Sequence, residues 1–262
     1  MQINLQIASD NNQNQLTWFP ANLSGLNRRF DCRPATDLLR WGLVTFGDEI
    51  VLATGFGPSG IVLMHMASQI RPRPKVFYLQ TDLFFPETIT LRDELAEHLD
   101  IEFIEVHSGL SLIDQAQQFG PELWRHNPDL CCHMRKVEPL RRFLAGKKAW
   151  ISGIRRDQSP TRAHTPLVAW DSANHLLKLN PLAAWSKEWV WDYLQKYKLP
   201  YNKLHNEGYT SIGCRPCTRA VVPGETERAG RWSGLNKTEC GIHIQADGQV
   251  VRRLIQAPNG SS

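Results

Sequence analysis

The stretch Glu49–Gly60, EIVLATGFGPSG, decides the reading of the chain. Its first half, Glu49–Thr54, is a short apolar run rich in β-branched residues, the pattern of a strand buried on both faces. Its second half is a Gly-rich turn that leads into a helical pattern over Ser59–Ile70. Glycines let a backbone approach an anion, and the helix start supplies unpaired N–H groups and the positive end of a dipole. The turn is therefore a candidate phosphate loop, with Thr54, Gly55, Gly57 and Ser59 nearest the ligand. It matches neither G-x-G-x-x-G nor the Walker A pattern, so alone it also reads as a tight strand-to-helix connection.

Outward from this unit the same alternation repeats. Lys75–Gln80, Ile101–Val106 and Lys148–Gly153 read as further buried strands, and Glu87–Leu99 and Cys132–Leu144 as helices between them. Strand–helix alternation predicts an α/β fold, a doubly wound and mainly parallel sheet with right-handed crossovers. Ligands of such sheets sit outside the carboxyl ends of the strands. Two more polar strand ends, Gln80-Thr81-Asp82 and Gly153 with Arg155-Arg156, are placed to face the same crevice. Ser186 is a candidate N-cap for a helix through Trp189, Val190, Tyr193 and Leu194. Beyond Pro200 the chain is rich in Gly, Pro and Arg and loses periodicity. We read residues 1–20, rich in Asn and Gln, as a flexible N-terminal extension, 21–200 as the nucleotide-binding α/β domain, and 201–262 as an irregular C-terminal arm.

The 262 residues are 42% hydrophobic and 21% charged, an ordinary globular composition. No apolar run approaches the roughly 20 residues that span a bilayer, so no membrane is expected. Residues 1–15 have neither a basic n-region nor an apolar h-region, so no secretory signal is read there, and the cytoplasm is the expected compartment. A net charge of +4 is too small an excess to argue for nucleic acid.

Six cysteines carry more information. In a reducing compartment, clustered cysteines more often bind metal or do chemistry than form disulfides. Four of them, Cys131-Cys132 and Cys214-x-x-Cys217, make a thiolate set that suits either a structural zinc or an iron–sulfur cluster. Adjacent cysteines make a poor zinc knuckle but can place sulfurs on two irons of one cubane. Cys240 lies in a polar, Gly-containing stretch, and would need nearby positive charge to act as a thiolate. Candidate cations are Arg135, Lys136, Arg155, Arg156, Arg162, Arg228, Arg231, Lys237 and His243, with Arg228 and Arg231 side by side if they share a helical turn. Glu239 opposes that field. Cys32 has no partner pattern and reads as structural.

Together these motifs resemble the adenylyl-sulfate / 3′-phosphoadenylyl-sulfate reductase family of assimilatory sulfate reduction. The resemblance runs from Glu49 to His243. It is carried by Phe85-Pro86-Glu87-Thr88, by Cys131–Leu140 (CCHMRKVEPL), by Ile151–Ser159 (ISGIRRDQS), by Gly208–Thr218, by Arg228–Trp232 (RAGRW) and by Glu239–His243 (ECGIH). It implies an adenine-nucleotide α-hydrolase-like sheet and a [4Fe–4S] cluster on Cys131, Cys132, Cys214 and Cys217. Cys240 is implied as the nucleophile that takes sulfur from a nucleotide phosphosulfate, leaving AMP and an S-sulfocysteine. A thioredoxin or glutaredoxin-like thiol donor then releases sulfite, which asks for a mobile arm. Substrate contacts are implied for Lys136, Arg228, Arg231 and His243 as offsetting cations, and for Thr54, Gly55, Gly57, Ser59, Thr81, Gly153, Arg155 and Arg156. A homo-oligomer is compatible with all of this.

The loop departs from the family's S-G-G-x-D-S form: Thr54–Ser59 has no acidic residue and is nearer the S-F-G loop of the branch that uses the 3′-phosphorylated nucleotide. That branch lacks the two cysteine pairs present here. Adenylyl sulfate is the expected substrate, with the 3′-phosphorylated nucleotide, or use of both, as the alternative. An ATP-pyrophosphatase and a zinc-stapled nucleotide-binding module are the readings from other classes.

Overall fold

A computed structural model describes residues 22–243. The expected extension 1–20 and the tail from 244 onward lie outside them. The elements follow in chain order. Helix α1 is Leu23–Phe30 and α2 Ala35–Phe46. Strand β1 (Ile50–Ala53) leads into α3 (Pro58–Ser68), β2 (Lys75–Gln80) into α4 (Pro86–His98), and β3 (Glu102–His107) into α5 (Leu112–Phe119). Two short helices, α6 (Leu123–His126) and α7 (Pro128–Cys132), precede α8 (Glu138–Leu144) and β4 (Ala149–Ile151). A hairpin of β5 (Val168–Asp171) and β6 (Leu176–Leu179) is followed by α9 (Lys187–Lys196).

The sheet order is β3-β2-β1-β4-β6-β5. Every pairing is parallel except β5 with β6 at the edge. The expected doubly wound sheet is thus present, with β2 bounded as expected and the ends of β1, β3 and β4 one or two residues from those expected. The β5–β6 hairpin and helices α1, α2, α5, α6 and α7 were not expected from periodicity. Connections from β1 run outward through β2 to β3, whereas β4 lies on the other flank of β1, so the order reverses there. That reversal opens a crevice beyond the carboxyl ends of β1 and β4.

The strand period of two sorts side chains into two cores. Ile50 and Leu52 of β1, with Ala149 and Ile151 of β4, join the larger core, to which α2, α3, α4 and α9 contribute. Val51, Phe77 and Trp150 face the other way, onto Leu140 and Leu144 of α8. Helix α3 carries apolar residues all round and is buried almost throughout, as such a helix must be. Pro58 starts it, where a missing N–H costs nothing.

The expected helix Cys132–Leu144 is not one continuous α-helix. Between α7 and α8 the chain makes one π-helical turn, His133–Val137. That extra residue per turn is a local device seen at functional sites. Arg135, in this turn, is 1% exposed. It donates to Gln115 Oε1 (2.7 Å), the Thr81 carbonyl (3.1 Å), Asp82 Oδ2 (3.0 Å) and the Leu110 carbonyl (3.3 Å). One guanidinium thereby fixes the segment after the cysteine pair to the end of β2.

Leu177 is fully buried in the strand that joins β4 to the edge hairpin. Leu177→Ala is expected to cost about 2–5 kcal/mol. Val44→Ala, at a 75% exposed position, should stay within about 0.5 kcal/mol of the parent. Urea unfolding of both variants checks the pair.

Candidate active site

The crevice at the reversal point is a cleft of about 270 Å3, near the lower end of small-ligand sites. Three strand ends and the C-terminal arm build it. At the end of β1, the Phe56 N–H donates to Thr54 Oγ1 at 3.0 Å. Phe56 takes φ +58°, a strained value for a side chain of its size. It is held there by rings on three sides: Tyr78 at 5.1 Å, Phe103 at 5.7 Å and Phe84 at 6.3 Å. The aromatic cage over-determines the turn, which is how such strain persists. A side chain built on Gly55 or Gly57 would meet no protein atom within 4 Å, so the loop backbone is bare toward the cleft.

The end of β4 closes onto this loop. A Cβ on Gly153 would stand 3.2 Å from the Gly60 nitrogen and from Ser59 Cβ, so a side chain there would push the two connections apart by a few tenths of an ångström. Two residues on, Arg155 is buried and donates to Ser59 Oγ (2.6 Å) and Asp157 Oδ1 (2.9 Å). At the end of β2, Thr81 Oγ1 is 3.4 Å from Cys214 Sγ.

The arm supplies the opposite wall. Arg228 and Arg231 share one turn, closed by the Arg231 N–H on the Arg228 carbonyl at 2.9 Å. Arg231 packs so tightly over Gly213 that any side chain there would overlap its guanidinium. Glu239 is gripped from two sides. Arg162 forks onto it at 2.7 Å to each carboxylate oxygen, and Arg228 adds 3.2 Å. Burial works to raise the Glu239 carboxyl, but Arg162 and Arg228 outweigh it and hold it below the usual carboxylate range. The acid next to Cys240 is therefore already paired with two cations. Burial, then Arg162, brings Arg228 down to about 10, so it remains charged at neutral pH.

Cys240, half-buried, lines the cleft with Lys136, Arg228, Arg231 and His243, and it interacts electrostatically with Lys136 and Arg228. Ile242 packs against the smaller core. His243 lies flat on the Trp150 indole, 5.8 Å away with 6° between the planes. Burial, followed by Lys178, Arg162 and Arg228, holds His243 well below the ordinary histidine range. This corrects its expected role: at neutral pH it is a neutral imidazole, not one of the offsetting cations.

Thr54, Gly55, Gly57, Ser59, Thr81, Gly153, Arg155, Lys136, Arg228, Arg231, Cys240 and His243 all line the one cleft. Arg156 does not. Its N–H donates to the Ala183 carbonyl (3.0 Å) and its Nε to the Thr165 carbonyl (2.9 Å), which turns it behind the wall. Sequence reasoning gave no role to Lys178, Trp150 or Trp232. Lys178 and Trp150 are paired across β6 and β4. The only sequence signal for Lys178 is a lone charge inside Leu176–Leu179, visible once that run is known to be a strand.

Of the paired cysteines, Cys214 lines the cleft, and Cys131, Cys132 and Cys217 do not. Cys131, Cys132 and Cys214 are buried and Cys217 half-buried. Burial, then Cys132, Cys214 and Cys217, pushes Cys131 up to about 12. Burial and Cys214 push Cys217 up to about 11. Cys214 goes the other way: burial works to raise it, but Lys136, the Thr81 hydroxyl and Arg231 outweigh it. Trp232 is 2% exposed, and its N–H donates to the Cys217 carbonyl at 3.0 Å. Its indole Nε1, like Arg231 Nε, is a buried donor without a partner. Among the described residues no group of three or more His, Cys, Asp or Glu is arranged to hold a metal ion.

Residues 49–220 match the phosphoadenosine phosphosulfate reductase domain. The chain belongs to the phosphoadenosine phosphosulfate reductase family. One relative, the adenosine 5′-phosphosulfate reductase of Salinibacter ruber, is 50% identical over 231 residues, 88% of this chain and 92% of its own. The phosphoadenosine 5′-phosphosulfate reductase of Gloeobacter violaceus is 46% identical over 224 residues, 84% and 93% of the two chains. The phosphoadenylyl-sulfate reductase of Candida auris, solved as a phosphate complex, superposes with a TM-score of 0.65 at 29% identity, over 75% of this chain and 95% of that one. The family match ends before Arg228 and Cys240, so the arm's role rests on the geometry above.

Charge-assisted hydrogen bonds of the kind holding Glu239 contribute about 1.5–3 kcal/mol each. Glu239→Gln is expected to loosen the arm and speed alkylation of Cys240 roughly tenfold, since about 1.4 kcal/mol is tenfold in a population. The exposed Cys32 should react at an unchanged rate. Peptide mapping after timed alkylation separates the two.

Proposed function

We propose that this chain is an oxidoreductase that reduces adenylyl sulfate to sulfite and AMP in sulfate assimilation, with thioredoxin or a glutaredoxin-like thiol as reductant. The observation that carries the reading is that the arm brings Cys240 into the same cleft as the bare phosphate loop and Lys136, Arg228 and Arg231. A thiolate approaching a phosphosulfate brings like charges together, and fixed cations offset that repulsion where charge develops. The Cys240 thiolate attacks sulfur, the S–O bond to the phosphate breaks, and AMP leaves with that electron pair. S-sulfocysteine remains on Cys240. A donor thiolate then attacks Cys240 Sγ and displaces sulfite, and its second thiol resolves the mixed disulfide, freeing Cys240. The second half requires the arm to leave the cleft, in the manner of a lid. The reading places the protein in the reducing cytoplasm.

The four cysteines are read as holding a [4Fe–4S] cluster. Support comes from the donor set: three buried thiols and one half-buried, with unpartnered indole and guanidinium donors nearby that suit sulfide acceptors. A four-iron cluster takes one thiolate per iron and spreads them wider than a single zinc would. When bound, the cluster would supply a fixed charge beside Lys136, which interacts with both Cys132 and Cys214. Lys136 thus links that site to the cleft. The 3′-phosphorylated nucleotide remains the second substrate reading, favoured by the Thr54–Gly57 loop and by the Gloeobacter relative's name.

Cys240→Ser is expected to abolish sulfite production while leaving adenylyl sulfate affinity within about twofold. The parent protein, mixed with adenylyl sulfate without thiol, should carry an added SO3 on the Cys240 peptide; an unmodified peptide overturns the reading. Arg228→Ala and Arg231→Ala should each weaken nucleotide binding by about tenfold or more, since a charge-assisted hydrogen bond contributes about 1.5–3 kcal/mol. Protein purified without oxygen should contain iron and acid-labile sulfide in equal amounts. Parallel assays with both nucleotides, read as sulfite, decide between the substrates.

A further inference from the structure

Lys178 is a cation that the chemistry above does not use. It is half-buried on β6 and does not line the cleft. In the parallel register it stands beside Trp150, its ammonium 4.8 Å from the centre of the indole. The same ammonium is 3.2 Å from Nδ1 of His243, whose ring is stacked on that indole. Trp150 is in turn held by its Nε1–H, which donates to Asp171 Oδ2 of β5 at 3.0 Å. Indole, ammonium and imidazole therefore form one packed group, of which Trp150 and His243 line the cleft beside Cys240 and Lys178 does not.

An ammonium has three donors and no acceptor. A ring nitrogen facing it must therefore accept, which leaves the single proton of a neutral imidazole on the other nitrogen. Nδ1 is taken up by Lys178, so Nε2 is the nitrogen left for the cleft that His243 lines. We propose that Lys178 is the positioning residue that fixes His243 as the Nε2–H tautomer, making it an uncharged hydrogen-bond donor to the oxygens of the phosphosulfate. The inference rests on the reading that His243 faces that group. It gives the site a mixed donor set: Lys136, Arg228 and Arg231 supply charge, and His243 supplies a directed N–H that adds no further cation.

The groups around the pair agree with this assignment. Lys178 interacts with Asp171, Glu239 and Cys240, which favour its charge, and with Arg162, which opposes it. Burial dominates and brings Lys178 down to about 8. His243 faces Lys178, Arg162 and Arg228, all of which disfavour its protonation. Below about pH 8 Lys178 is charged and Nδ1 has an obligate donor. As the pH rises through that value the constraint on the tautomer is lost, so kcat/KM is expected to fall on the alkaline side.

Two measurements test the proposal. In protein labelled with nitrogen-15 histidine at pH 7, the His243 ring, assigned by the signals missing in His243→Gln, should show an unprotonated Nδ1 and a protonated Nε2. A proton on Nδ1 overturns the proposal without any variant at Lys178. In steady-state assays with adenylyl sulfate and thioredoxin, Lys178→Met should lower kcat/KM at pH 7 about tenfold, the loss of one directed hydrogen bond, and remove the alkaline fall near pH 8. Lys178→Arg, which keeps an obligate donor, should retain most of the activity. In a His243→Gln background Lys178→Met should add little further loss, because coupled residues are not additive. An equal loss in both backgrounds overturns the proposal. If His243→Gln leaves kcat/KM unchanged while the tautomer is as stated, the substrate-facing reading fails and the Lys178–His243 assignment stands.

Discussion

The cleft gathers several positive charges in one partly desolvated space, and the rest of the site is arranged around that constraint. Like charges at short range in a low dielectric repel strongly unless anions stand between them. Glu239 stands between Arg162 and Arg228, and Asp157 and Glu227 flank Arg155. The anion that balances Arg162 and Arg228 is carried by the arm next to Cys240, so electrostatic balance and placement of Cys240 are one interaction. A nucleotide phosphosulfate would bring further negative charge to Lys136 and Arg231, which have no carboxylate partner among the described ion pairs.

Seen from the sheet, this arrangement needs little beyond the reversal in strand order. The turns after β1 and β4 meet at Gly153, β2 contributes Thr81, and the π-turn carries Lys136 past the same point. Arg135 ties the last two together through the Thr81 and Leu110 carbonyls. The arm meets the segment of the cysteine pair directly, through the Lys237–Asp129 ion pair and the close approach of Gly241 to Val137.

Much of this was legible in the chain itself. Of the four strands read from periodicity, β1, β2 and β4 are interior apolar runs and β3 is the sheet edge, and all four appear within two residues of where periodicity put them. The phosphate turn, the paired cysteines and the arginine pair near the C-terminus were visible because their chemistry is local. What was not legible depends on contacts distant in sequence. The strand Leu176–Leu179 is only four residues long, and Lys178 acquires meaning from Trp150, 28 positions away. Arg156 reads like its neighbour Arg155, and only the Ala183 and Thr165 carbonyls send it elsewhere. His243 looks like a cation until its burial among Lys178, Arg162 and Arg228 is known.

The π-turn His133–Val137 has a bearing on how this stretch can vary in length. A helix advances about 100° per residue. Deleting one residue there, and so relaxing the turn into an ordinary helix, would rotate the cysteine pair by that angle against α8. Either Cys131 and Cys132 would swing away from Cys214, or Lys136 would leave the cleft. Insertions and deletions in these five positions are therefore closed to the chain, and the loop before α5 is tied to the same turn through the Leu110 carbonyl.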